Sequence, residues 1–425
     1  MQWLDEQRGF RGWMAGLAVL GASGCTAPSG TVEVVALDGD EPQRHAIVVS
    51  HRPDGSLLEI IQVDATGRAR PAVEDDSLVT VIYPHDGTST RLYTIAVAGH
   101  AGELTIHGPA PLPGFDVVGR LDVTAPTNPS ADGYEIQLAC TGYDTNPFPF
   151  LAPQAWPVSV ELSADCIGDD GRVPVIVLAK AAHAPIAYAA GMATLDNGVA
   201  TFDVASWLPH APNVPVQSSD PSARFEWTLW IDGLPIIGRM WPEGGLRWEG
   251  LPVERTSIHA WRAGMLSDQS TERNVPGVPA EIVFDSADLP APIPPTLHLE
   301  GAPTKVGIGH PLHFAWEPSS VPADVLALDL GYLAYADQET VMWSVALPPH
   351  ATEFTSPAFE GPFARVGPRD DPSNVLRWID SPDVVGFDEV RAAGIHSRER
   401  NQSAMIVAPV SSGDLRVSSI RWGGN

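Results

Sequence analysis

Few residues in this chain are spaced for chemistry, and each group has a plain structural reading beside it. Cysteine occurs three times, at positions 25, 140 and 166, and a thiol can be acylated, bridged or bound to metal. His310-Pro-Leu-His313, with His298 upstream, is the best metal candidate. Two histidines three apart fall on opposite faces of a strand, and no Cys or acid stands at ligand spacing, so no metal is assigned. Asp165-Cys-Ile-Gly-Asp-Asp170 gathers oxygen donors as a calcium loop does. It lacks the alternating ligand positions of an EF-hand and reads as a solvated turn. Asp370-Asp371 is the nearest acidic pair for a cryptic hydrolase, with nothing to set its geometry. No H-E-x-x-H, G-x-S-x-G, Walker A loop, dinucleotide glycine fingerprint or zinc-type Cys pairing occurs. The expectation is a protein that is not an enzyme and carries no cofactor.

Tryptophan is the more suggestive residue. Trp227, Trp230, Trp241, Trp248 and Trp261 crowd one stretch. Trp227 and Trp230, an odd number apart on one strand, face opposite sides, so one of them is available at the surface. A flat exposed indole suits stacking on a sugar ring or anchoring a protein contact, which makes Trp230, Trp241 and Trp248 the ligand-binding candidates. Core packing is the competing fate of most of the five.

The elements that would carry these residues read as short strands punctuated by turns. Thr31–Ala36, Ala46–Ser50, Leu57–Val63 and Leu78–Tyr83 are strand patterns broken at Asp54-Gly55 and Asp64-Ala-Thr-Gly67. Asp tolerates the left-handed position of such turns and Gly occupies it without steric cost. A second unit holds Tyr134–Leu138, Val158–Leu162, Val173–Leu178 and a hairpin about Asn197-Gly198. A third repeats the first in outline, with Trp227–Ile231, Asp232-Gly233, Ser257–Trp261 and Glu281–Phe284. After the Pro-rich spacer Asp288–Pro295 come Leu312–Glu317, Val341–Leu347, Ala404–Ala408 and Leu415–Trp422, with a short helix at Asp388–Ala393. The fold class is mainly β: antiparallel β-sandwiches at 31–108, 115–211, 214–291 and 296–425.

Composition agrees. A chain of 425 residues exceeds one ordinary core. Hydrophobic residues at 44% against 18% charged supply core material, while 39 Gly and 41 Pro favour turns and strands over long helices. Acidic residues outnumber basic ones 52 to 25, a formal charge of −27. That field repels phosphate backbones and excludes nucleic acid as a partner class.

The first residues carry a location. Arg8 and Arg11 precede an apolar run, Trp13–Leu20, followed by Gly21, Ala22, Ser23 and Gly24, the layout of an export signal. The run is too short to span a bilayer. Ala22-Ser23-Gly24-Cys25 resembles the lipobox of bacterial lipoproteins, with Ala22 where Leu is usual. The resemblance implies a signal peptide over 1–24, cleavage after Gly24, lipid on Cys25 and a tether over 25–30. Two or three acyl chains anchor durably, since each buried CH₂ contributes about 0.8 kcal/mol. Thr26 is not the Asp that retains such proteins at the inner membrane, so the implied address is the outer membrane of the cell envelope. Lipidating Cys25 leaves Cys140 and Cys166, an even pair in an exported chain, either bridged or separately buried.

Residues 31–108, with the D-A-T-G-R turn at Asp64 to Arg68 and the V-T-V-I-Y strand, resemble carboxypeptidase regulatory-like, transthyretin-type sandwiches. Residues 296–425 are similar to fibronectin or immunoglobulin-like sandwiches, where one Trp anchors two sheets. Such units act as spacers or binding modules. The expected function is a lipid-anchored interaction or adhesion protein with an envelope-protein partner; the alternative is a carbohydrate-binding surface protein gripping glycan.

Overall fold

The computed structural model describes residues 30–422 except 39–40, 85–88, 98–101, 109–116, 141–147, 152–155, 169, 183, 210–215, 232, 240–250, 264–266, 286–287, 290–310, 319, 335–339, 369–372, 394 and 397–412. The chain is mainly β, as its turn-rich composition demands, and the described residues hold one α-helix, Gly386–Ala393 (α1). No helix among them is long and apolar enough to cross a membrane.

Twelve strands form one large sheet. In chain order they are β1 (Ile47–His51), β2 (Leu57–Gln62), β3 (Ser77–Pro84), β4 (Ser89–Val97), β5 (Arg224–Ile231), β6 (Leu234–Arg239), β7 (Arg255–Ala263), β8 (Ser267–Pro276), β9 (Val325–Leu333), β10 (Thr340–Leu347), β11 (Ser373–Asp380) and β12 (Gly413–Trp422). Across the sheet they run β6-β5-β7-β8-β12-β11-β9-β10-β4-β3-β1-β2.

That order is one motif used three times. Each group of four lies second-first-third-fourth: β2-β1-β3-β4, β6-β5-β7-β8 and β10-β9-β11-β12. A separate eight-stranded sheet repeats it with Phe148–Leu151, Gly133–Leu138, Arg172–Ala181 and Ala184–Asp196. In three modules the strand before the motif pairs in parallel with the strand after it. These pairs are Glu33–Asp38 with Glu103–Gly108, Val117–Thr124 with Val199–Asp203, and Val216–Ser218 with Ile282–Phe284. The outline shared by the first and third stretches is therefore a shared topology, and the second stretch has it too. The fourth departs: His313–Ala315 pairs antiparallel with Glu353–Thr355.

Local chemistry sets the turns. Gly55 at φ 82° and Gly67 at φ 73° close the two Asp-led turns, and Asp64 Oδ1 accepts the Thr66 N–H at 2.8 Å. A Cβ on Gly67 would stand 2.5 Å from the Ala36 carbonyl oxygen, so both the φ and the close approach require glycine there. Asn197 and Gly198, both at positive φ, make the predicted hairpin.

Strand pairing continues across the expected unit boundaries. β10 pairs in parallel with β4, Thr340 opposite Ser89 through Ala346 opposite Ile95. β8 pairs antiparallel with β12. One core mixes Val34, Val48, Tyr93 and Ile106 of the first module with Val325, Ala346, Ile379, Val390 and Leu415 of the fourth. The physical reason is edge satisfaction: a lone four-stranded sheet leaves unpaired backbone at its flanks, and neighbouring modules fill it. Trp343, 1% exposed, sits at this seam, its indole N–H donating to Thr94 Oγ1 at 2.8 Å. Phe354, Phe359 and Phe363 meet that indole edge-on.

The second module is different in kind. Its described strands pair only with one another, and one of its apolar cores comes from its own stretch of chain, while Ala139, Ile176, Leu178 and Tyr188 on its other face pack with Trp227, Leu229, Ile231 and Leu234 of the third module. Cys140 and Cys166, both buried in its own core, are bridged.

Candidate binding face

On one face of β5, β7 and β8 the chain sets a row of polar and aromatic side chains. The alternation of strands puts Thr228 and Trp230 of β5, Arg255, Ser257, His259 and Trp261 of β7, and Ser270, Glu272 and Asn274 of β8 on that side. Register lines them up: Trp230 opposite Arg255, Thr228 opposite Ser257, Ser257 opposite Asn274, and His259 opposite Glu272.

The row has a floor and a rim. Thr228, Ser257, Glu272 and Asn274 are buried. Trp230, Arg255, His259 and Trp261 are half-buried. The Trp230 indole N–H donates to Ser257 Oγ at 2.9 Å, Ser257 Oγ hydrogen-bonds Asn274 Oδ1, and Asn274 Nδ2 reaches Glu272 Oε1 at 3.5 Å. The Arg255 guanidinium lies 4.4 Å over the Trp230 ring, a cation–π contact. The His259 and Trp261 rings stack, with centroids 5.3 Å apart and planes 21° apart. A chain of hydrogen bonds across three strands fixes the floor, while the rim offers flat aromatic surface beside cationic and hydrogen-bonding groups. Such an arrangement can hold a polar ligand by stacking and hydrogen bonding. Ser257 is engaged with an indole and an amide in this row, which is not the pairing with a base that an activated nucleophile needs.

At one border Asp220 accepts from Arg262 Nε at 2.8 Å and from the Ser222 backbone at 2.8 Å. The Ser222 hydroxyl, then its N–H, then Arg262 hold this carboxyl down to about 2. At the other, Arg273 of β8 grips Asp414 of β12 with two bonds of 2.7 Å and lies 4.5 Å over Phe284. That bidentate bond raises the arginine pKa and clamps the third module to the fourth.

The predicted site residues divide. Trp227 is 3% exposed in an apolar cluster and Trp230 is half-buried on the opposite face, as the odd spacing requires. Arg255 covers one face of the Trp230 ring, so this candidate belongs to a composite surface and is not a free stacking platform. Trp241 and Trp248 lie outside the described residues, as do Cys25, His298, His310, Asp370 and Asp371. His313 is exposed and its Nδ1 is 2.9 Å from Thr355 Oγ1. Asp170 turns its carboxylate to Arg172. Among the described residues the one grouping of three metal-type donors is Cys140, Asp165 and Cys166, and its two sulfurs are spent on each other.

His259, Glu272 and Asn274 escaped the sequence reading. β8, Ser-Asp-Gln-Ser-Thr-Glu-Arg-Asn-Val-Pro, shows almost no apolar alternation because the side chains it buries, Gln269, Thr271, Glu272 and Asn274, are polar. The available signal was Ser257-Ile-His-Ala-Trp261, in which polar and apolar residues strictly alternate around a histidine and a tryptophan.

A second polar group stands apart from this row. His51, 0% exposed on β1, has neither ring nitrogen hydrogen-bonded among the described residues, and its ring lies 5.6 Å from Phe363. Burial pushes its pKa down to about 4, so the imidazole is neutral at physiological pH.

No protein family and no curated protein is detectably similar to this chain.

Proposed function

We propose that the chain is a non-enzymatic binding protein of the cell envelope, exported and lipid-anchored at Cys25 in the outer membrane, that holds its partner on the β5–β7–β8 face. The observation that carries the reading is the pairing of a braced polar floor with a half-exposed rim of Trp230, Arg255, His259 and Trp261. Rigid aromatic anchors beside an arginine are the composition of binding hot spots. The acidic surface, −27 overall, favours partners that are neutral or basic.

A glycan is the second reading for the partner, favoured by the near-parallel His259–Trp261 rings, since sugar rings stack on flat aromatic surface. One experiment separates the two. The chain is screened against an array of neutral polysaccharides and, in parallel, used in its membrane-bound form to capture envelope proteins. Protein partnership predicts one specific co-purifying envelope protein that is lost in Trp261→Ala. Glycan binding predicts tryptophan fluorescence quenching by one polysaccharide and loss of that quenching in the same variant. Binding of either kind that survives both Trp261→Ala and Trp230→Ala removes this face from the account.

A further inference from the structure

Each four-stranded motif has an outer edge made by its second strand, and the four edges differ in a telling way. Phe148–Leu151 carries Pro149 and β6 carries Pro235, and no described strand pairs with their outer sides. Proline withholds a backbone donor and is a common guard of free edges. β10 (Thr-Val-Met-Trp-Ser-Val-Ala-Leu) has no proline, and its edge is filled in parallel by β4 of another module. β2 (Leu-Leu-Glu-Ile-Ile-Gln) has no proline, lysine or arginine, yet it ends the twelve-stranded sheet, with no described strand outside it. By composition β2 belongs with the filled edge.

We propose that two copies of this chain pair through their β2 edges, antiparallel and centred on Ile60, so that the two twelve-stranded sheets become continuous. The ladder supplies the geometry. Val63 N–H donates to the Ala46 carbonyl, so by alternation residues 59 and 61 bond inward to β1, while Ile60 and Gln62 direct N–H and C=O outward. A strand meeting itself across a two-fold axis is necessarily antiparallel. Centring on Ile60 sets Leu58 opposite Gln62 and Glu59 opposite Ile61, which avoids facing Glu59 with its own copy. Each copy's Ile60 and Ile61 already flank opposite cores, so both faces of the joined sheet continue in register. Glu59 is the strand's one charge, and it is turned to the Ala72 N–H at 2.7 Å.

The test is sedimentation of the full chain at micromolar concentration, with Ile60→Pro and Ile60→Cys beside it. The unsubstituted chain should sediment at twice the protomer mass. Ile60→Pro, which deletes an outward donor and leaves the inward ladder intact, should sediment as the protomer with unchanged far-ultraviolet dichroism. Ile60→Cys should form a Cys-to-Cys link between copies with diamide as oxidant. A protomer mass for the unsubstituted chain overturns the proposal, and so does a dimer whose position-60 cysteines fail to link. Should Ile60→Pro not fold, those two results decide alone.

Discussion

The second module and the fourth share a four-stranded motif and complete it in opposite ways. The second closes its sheet on itself: every described strand pairs within the module, and a bridge between residues 26 apart ties its inner core, although its outer face packs on the third module. The fourth is completed by others. β10 takes a partner from β4, β12 takes one from β8, and part of its core is shared with the first module. The comparison teaches that one topology can be stabilised by local closure or by borrowed edges, and that the second route makes distant segments depend on each other.

The largest effect that sharpens this contrast is expected at Trp343. Trp343→Ala removes a fully buried indole from the β10–β4 seam and should cost about 3–5 kcal/mol. Hydrogen exchange should show β4 and β9 losing protection together while Arg172–Ala181 keeps its own. Loss of protection in the second module to the same degree would break the comparison.

Removing the bridge is the converse experiment. Cys140→Ala with Cys166→Ala should cost about 3 kcal/mol by the loop-entropy argument, and hydrogen exchange should place that loss first in the second module.

His51 gives a pH-dependent effect next in size. Its folded pKa, about 4, lies below the ordinary histidine value of 6.5. The unfolded chain therefore takes up a proton first as pH falls. The contribution is fully present above pH 6.5 and is lost progressively down to about 4, about 3 kcal/mol in all. The His51→Phe variant should lack that segment of the pH–stability curve. Identical curves for the two proteins between pH 4 and 6.5 would mean that the imidazole is not held neutral.

Asp220→Asn should be the smallest, under about 1 kcal/mol for a pair near the surface. The sign follows from the depressed carboxyl: its stabilisation is present above about pH 3.8 and is lost as pH falls through about 2. Urea melts at pH 5 and pH 2 should differ between the two proteins more at the higher pH.

What could be read from the sequence follows the same division. Strands such as β1, β3, β5 and Gly133–Leu138 announce themselves by alternation, and the Asp54-Gly55 and Asn197-Gly198 turns by the φ they require. Counting cysteines left the bridge as one of two fates for Cys140 and Cys166, because the count carries no Cα separation. The fusion of β4 with β10 did not, because alternation marks a strand's faces and leaves its edge partner unspecified across 249 residues. β8 and β11 were missed because polar side chains are buried in them. Arg377 of β11 pairs with Asp329, which also accepts from Ser344 at 2.6 Å, and such cross-strand pairing satisfies charges that composition alone assigns to the surface. The binding face was half legible. Trp230 and Trp261 stood out as residue types, whereas Glu272 and Asn274 gain their meaning only from the register of β7 against β8.

The proposed function requires export to a compartment where lipid reaches Cys25 and the second module keeps its bridge. Mass spectrometry of peptides from the membrane-isolated protein tests both at once. The predicted result is an amino-terminal peptide that begins at Cys25 and carries acyl groups, together with Cys140 and Cys166 peptides joined to each other. A chain that retains Met1, or an unmodified Cys25 with free thiols at 140 and 166, would contradict it.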